Sequence, residues 1–129
     1  MELKDYKTRI KIKAEPDVVY AAITNSDTIE VWSGYHAEMP AEAGGDFSMW
    51  DGEINGRIVE YEQGKRVVQE WYFGEQDEPS IVKINIFPYR NDCQIELIHT
   101  NIPEDAFDNI VEGWEEYYLK TLKGFLEEE

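Results

Sequence analysis

The sequence predicts an α+β fold in which a curved antiparallel sheet of seven strands wraps around one long C-terminal helix, with two short helices after the first strand. Three observations carry this expectation. Residues 6–14 alternate apolar and cationic, as a half-buried strand does. The middle of the chain is a run of short apolar segments separated by turn residues. The last quarter is amphipathic at helical spacing and free of internal proline.

The first strand places Tyr6, Thr8, Ile10, Ile12 and Ala14 on one face and Lys7, Arg9, Lys11 and Lys13 on the other. The first set is expected to face the core and the second to face water, because one strand cannot bury four cations without partners. Pro16 then suits the first position of a helix, and Asp17 the positive end of its dipole. That helix runs through Val18–Ile23. Asn25-Ser26-Asp27 breaks it and offers a new N-cap. A second short helix passes through Ile29, Val31 and Trp32.

Six strands are expected next. They cover Tyr35–Met39, Phe47–Trp50, Ile54–Tyr61, Arg66–Phe73, Ile81–Phe87 and Cys93–Asn101. Gly44-Gly45, Asp51-Gly52, Glu62–Lys65 and Arg90–Asp92 read as turns, and Glu75–Pro79 as an exposed loop. Residues 104–127 form the closing helix, roughly 36 Å long. Its inward stripe is Phe107, Val111, Trp114, Tyr118, Thr121 and Phe125, flanked by Ile110, Tyr117 and Leu122. Gly113 and Gly124 share one edge of it, and a close backbone approach would account for them.

No repeat or linker divides the chain, so one domain over residues 1–129 is expected. With 42% hydrophobic and 13% aromatic residues, the 129-residue chain can bury about two-thirds of its surface. The net charge is −16; the first 13 residues carry +3, leaving −19 on the rest. Such a field repels nucleic acid and anionic membranes. A lone cysteine, Cys93, and no apolar run near 18 residues fit a soluble protein of the reducing cytoplasm, expected to be a monomer.

Several motifs carry a resemblance. Ala14-x-Pro16-x-x-Val19-Tyr20-x-Ala22, and Trp32 near the end of the second helix, are similar to the START-like, or helix-grip, superfamily of the birch-pollen-allergen type. Gly45-x-Phe47-Ser48-x-x-Asp51-Gly52-x-Ile54-x-Gly56, Val67-Val68-x-x-Trp71, Ile102-Pro103 and Gly113-Trp114-x-x-Tyr117-Tyr118 resemble the family named for the C-terminal domain of the activator of heat-shock protein 90 ATPase. Together they cover nearly the whole chain. The resemblance implies a helix-grip fold. Its functional implications are divided, because the family includes small-molecule carriers as well as an activator that stimulates a chaperone.

The chemistry-bearing residues are few. His99 shares a strand face with Ile95 and Leu97, which the resemblance turns toward the helix, so it is either a general base or a hydrogen-bonded core histidine. Cys93, His36 and His99 lack metal-ligand spacing, and no metal or cofactor is expected. Cys93 and His99 are about 20 Å apart along their strand at ~3.3 Å per residue, which excludes a nucleophile pair. No catalytic residue is assigned and an enzyme is not expected. The leading expectation is a cavity between sheet and helix for a hydrophobic small molecule, lined by Trp32, Phe47, Gln69, Trp71, His99, Trp114 and Tyr118. The alternative is a co-chaperone-like protein that binds a 90-kDa heat-shock chaperone and modulates its ATPase. A cyclase or hydrolase using the same cavity is third. Lys7, Arg9, Lys11 and Lys13 are either a solvated face or a docking stripe for an acidic protein partner.

Overall fold

The computed structural model describes residues 3–73 and 78–127. Strands β1 (Leu3–Ile12), β2 (Asp46–Met49), β3 (Ile54–Glu62), β4 (Arg66–Trp71), β5 (Ser80–Tyr89) and β6 (Asp92–Pro103) form one antiparallel sheet in the order β1-β6-β5-β4-β3-β2. Helices α1 (Pro16–Thr24) and α2 (Ser26–Ser33) follow β1. The last helix, α3, runs over residues 107–127 after a 3-10 turn at Glu104–Ala106. This is the helix-grip arrangement that the sequence predicts. No helix among the described residues is long and apolar enough to cross a membrane.

Six strands stand where seven were expected. The segment 35–39 contributes a single bridge, Glu38 to Ser48. Its partner β2 is four residues long, and Pro40, which has no N–H to donate, ends the pairing. Of the loop expected at Glu75–Pro79, residues 75–77 lie outside the described residues, and Glu78 and Pro79 are exposed.

Cross-strand registry sets the inner face. Ile58, Gln69, Val82, His99 and Tyr6 lie in one row across β3, β4, β5, β6 and β1. The first four of these are buried, so two polar groups, Gln69 and His99, sit inside the sheet about 10 Å apart, one strand between them. Gly56 holds a close crossing. A Cβ there would overlap the Glu70 carbonyl and press on the Phe47 ring. At the helices, Pro16 opens α1, the Asn25 side chain accepts from Thr28 N at 2.9 Å to cap α2, and Gly34, at φ +81°, ends it. The Trp32 indole N–H ties α2 to α1 through the Ala22 carbonyl at 2.9 Å.

α3 is not one uniform α-helix. Phe107–Glu112 and Lys120–Glu127 are α-helical, but Gly113–Leu119 between them has the wider π-helical winding. A wheel drawn at 100° per residue drifts out of phase there. Trp114, Tyr118, Leu119 and Leu122 are buried, while Phe107, Val111, Thr121 and Phe125 are only half-buried and Tyr117 is exposed. Nor do Gly113 and Gly124 mark a close backbone approach. A Cβ on either would meet no atom within 4 Å.

Candidate functional site

The interior between sheet and helix is filled by a chain of rings. Trp71 stacks on Trp114 with centroids 5.1 Å apart, and His99 meets Trp71 edge-on at 5.0 Å. Trp114 packs on Tyr118 at 4.6 Å, and Tyr118 meets Trp32 edge-on at 5.1 Å. Phe47 is buried beneath the same end of the sheet.

His99 is fully committed within this core. Trp114 Nε1–H donates to His99 Nδ1 at 3.0 Å, so Nδ1 is the acceptor and Nε2 carries the proton. Nε2 then donates to Ser80 Oγ at 2.9 Å, and Ser80 donates onward to the Thr100 carbonyl at 2.9 Å. Burial pushes the imidazole pKa down to about 3. The ring is neutral, both nitrogens are used, and no lone pair is left to take a substrate proton. Gln69 is half-satisfied. Its Oε1 accepts from Trp71 Nε1 at 2.8 Å, while its buried Nε2 and the buried Tyr118 hydroxyl have no hydrogen-bond partner among the described residues.

An opening remains at the mouth of this core. A groove of about 270 Å³ lies between the turn joining β2 to β3, the end of β4 and the π-helical segment. Trp50, Glu53 and Ile54 form one wall, Trp71 the base, and Asn109, Ile110, Gly113, Trp114, Tyr117 and Tyr118 the helix wall. The site's shape depends on two local features. Gly113 lines the groove, with open space where a Cβ would stand. Trp50, Asp51 and Gly52 are consecutive left-handed residues, at φ 54°, 55° and 90°. This turn brings the Trp50 ring onto Tyr118, with centroids 5.7 Å apart.

The turn is held from outside. His36 N donates to Asp51 Oδ1 at 2.9 Å and the His36 carbonyl accepts from Asp51 N at 3.2 Å. The exposed His36 imidazole contacts Glu38 at 3.3 Å and Glu30 at 2.8 Å, and these carboxylates raise its pKa, Glu38 foremost. Elsewhere burial pushes the Cys93 thiol up to about 11, which makes it inert as a nucleophile. Among the described residues no group of three or more His, Cys, Asp or Glu could hold a metal ion.

Residues 13–127 match the family described as Activator of Hsp90 ATPase homolog 1-like protein. The chain belongs to this family. Activator of 90 kDa heat shock protein ATPase homolog 2 from Mus musculus is 26% identical over 111 residues, covering 84% of this chain and 34% of that protein. The Dictyostelium discoideum homologue is 25% identical over 126 residues, covering 93% of this chain and 32% of that protein. The chain thus spans about one third of the length of these curated relatives. Among solved structures, an HSP90 activator from Plasmodium falciparum superposes with a TM-score of 0.88 at 24% identity, covering 97% of this chain and 96% of that one. CalU16 from Micromonospora echinospora superposes with a TM-score of 0.82 at 25% identity, covering 97% and 77%.

Within this family member, Trp71, Trp114 and Tyr118 of the seven lining residues read from the sequence do line the groove. Trp32, Phe47, Gln69 and His99 are buried but are not part of its walls. Trp50, Ile54, Ile110 and Tyr117 were missed. For Trp50 the available signal was the Asp51-Gly52 turn that follows it. At the other edge of the sheet, Lys7, Arg9, Lys11 and Lys13 are exposed. They are not a uniform stripe. Arg9 binds the Glu96 carboxylate through Nε at 3.0 Å and Nη2 at 2.7 Å, and Lys7 reaches it at 3.7 Å. Lys11 lies over the Tyr89 ring, 4.3 Å from its centroid.

Proposed function

We propose that this chain is a non-enzymatic binding module that holds a hydrophobic small molecule, lipid-like or aromatic, in the groove between the β2–β3 turn and the π-helical segment. One observation carries the reading: a mostly apolar groove is left open at the edge of an otherwise filled aromatic core. Its volume of about 270 Å³ falls just below the roughly 300–1,000 Å³ of typical ligand pockets, so a compact ring system or one end of a longer chain fits best. The engagement of both His99 nitrogens supports the non-enzymatic part. Amide shifts against a hydrophobic ligand library, with native mass spectrometry of protein from its own host, test it. Shifts centred on Trp50, Ile110 and Tyr117 are expected. No adduct and no shift would remove the reading.

Membership of the Hsp90 activator family favours a second function, binding a 90-kDa heat-shock chaperone and altering its ATPase. A change in chaperone turnover at saturating protein is the expected result, and unchanged turnover excludes it. The exposed β1 cations are then a candidate contact for an acidic partner surface.

A further inference from the structure

The groove is built for positive charge. Of the ten described residues that line it, five are the aromatic residues Trp50, Trp71, Trp114, Tyr117 and Tyr118. Among the described residues, the one ionisable group besides tyrosine in its lining is the carboxylate of Glu53, with no Lys, Arg or His. Trp50 is stacked by Tyr35 and Tyr118, and Trp71 by Trp114, so Tyr117 is the exposed ring that the groove offers a cation. An aromatic face carries negative quadrupole density and attracts cations, alkylated ammonium groups included. The exposed Glu112 and Glu116 precede Gly113 and Tyr117 on the helix wall, and Glu116 draws in Lys120 at 3.5 Å. The whole chain, at −16, adds a field that concentrates cations at such a mouth and repels carboxylate ligands.

The geometry points to an alkylammonium site: the groove recognises a quaternary or highly alkylated ammonium group, its methyl groups against the rings and its charge answered by Glu53. This rests on the groove being the ligand site, and it narrows the ligand from hydrophobic molecules at large to amphiphilic cations, excluding fatty-acid-like anions.

The test compares choline with two matched probes at low salt, read by amide chemical shifts of the full chain. The first probe is the neutral isostere with tert-butyl in place of trimethylammonium; the second is the anion tert-butylacetate. Choline should bind roughly fivefold or more tighter than the isostere, with the anion weakest. The shifts should centre on Trp50 and Tyr117. Glu53→Gln should cut that preference, read as the ratio of the two affinities, roughly two- to threefold, and Tyr117→Leu should weaken choline more than the isostere. Both positions are exposed, and thermal melts check that the variants fold. Phosphatidylcholine vesicles separate the sources. Sedimentation with vesicles that choline reverses identifies a lipid headgroup, whereas choline binding without sedimentation identifies a free cation. Equal affinity for choline and isostere, or preference for the anion, overturns the inference. If hydrophobic library members still shift the same amides, the binding-module reading survives that result. If neither they nor choline do, both fall.

Discussion

His99 combines a polar side chain with complete burial, and its surroundings decide its protonation. The neutral ring accepts from Trp114 and donates to Ser80, and a second proton would have no acceptor. Its folded pKa of about 3 lies below the ordinary value of 6.5. The unfolded chain therefore binds more protons between these values, and stability is lost as pH falls from about 6.5 toward 3. At about pH 4.5 the loss from this residue is on the order of 2–3 kcal/mol. His99→Gln should be less stable than the parent at neutral pH, and the gap measured by urea unfolding should narrow by that amount at about pH 4.5. A gap independent of pH would show that His99 does not titrate this way. Strand parity put His99 on one face with Ile95 and Leu97, and the family resemblance turned that face inward. Its partners were not legible, because Ser80 and Trp114 are 19 and 15 residues away and only the β5–β6 register and the helix placement bring them together.

Helix α3 shows how an element can be right in extent and wrong in winding. Apolar spacing located residues 104–127 well, because helix existence depends on a long periodic pattern. The π-helical stretch left no mark in that pattern, since Trp114 and Tyr118 stay inward in either winding. What changes is the flank: Tyr117 turns out to the groove and Leu119 turns in. π-Helical segments recur at functional sites, and here the segment supplies Gly113, Trp114, Tyr117 and Tyr118 to the groove. Gly113 has ordinary helical torsions, φ −59° and ψ −45°, with open space where a Cβ would go. Gly113→Ala should therefore stabilise the fold by up to about 1 kcal/mol through helix propensity. The added methyl projects into the groove, so ligand affinity should fall while the melting temperature rises. Opposite movement of stability and binding is the signature. A variant that loses stability would show that the π winding itself needs glycine.

Across the molecule, the sheet separates two surfaces of opposite character. β1 and its cations occupy one edge, and the β2–β3 turn with the groove occupies the other. The alternation of residues 6–14 made the first legible at once. The second depends on a non-glycine left-handed turn and a long-range helix contact, neither of which has a periodicity. With a net charge of −16, the β1 cations are also a large share of the 12 positive residues that offset self-repulsion. Two of them have a specific duty: Arg9 and Lys7 hold the nearly buried Glu96, whose carboxyl pKa is lowered by Arg9 foremost, then by the Asn85 hydrogen bond and Lys7. Arg9→Glu with Lys11→Glu takes the net charge from −16 to −20 and places a carboxylate beside Glu96. The melting temperature of this variant should fall at low salt. Added salt should recover the long-range part of the loss, which is screened over about 8–10 Å, but not the part due to the Arg9 hydrogen bonds that Glu96 loses. Groove binding of an uncharged ligand should be unchanged, because the substitutions lie at the opposite edge of the sheet. A matched pair, Lys11→Glu with Lys13→Glu, carries the same charge change without touching Glu96 and should lose only the salt-recoverable part. If that second pair abolishes capture of a 90-kDa chaperone while leaving the groove intact, the β1 edge is a partner surface. If capture is untouched, its cations serve solubility and Glu96 alone.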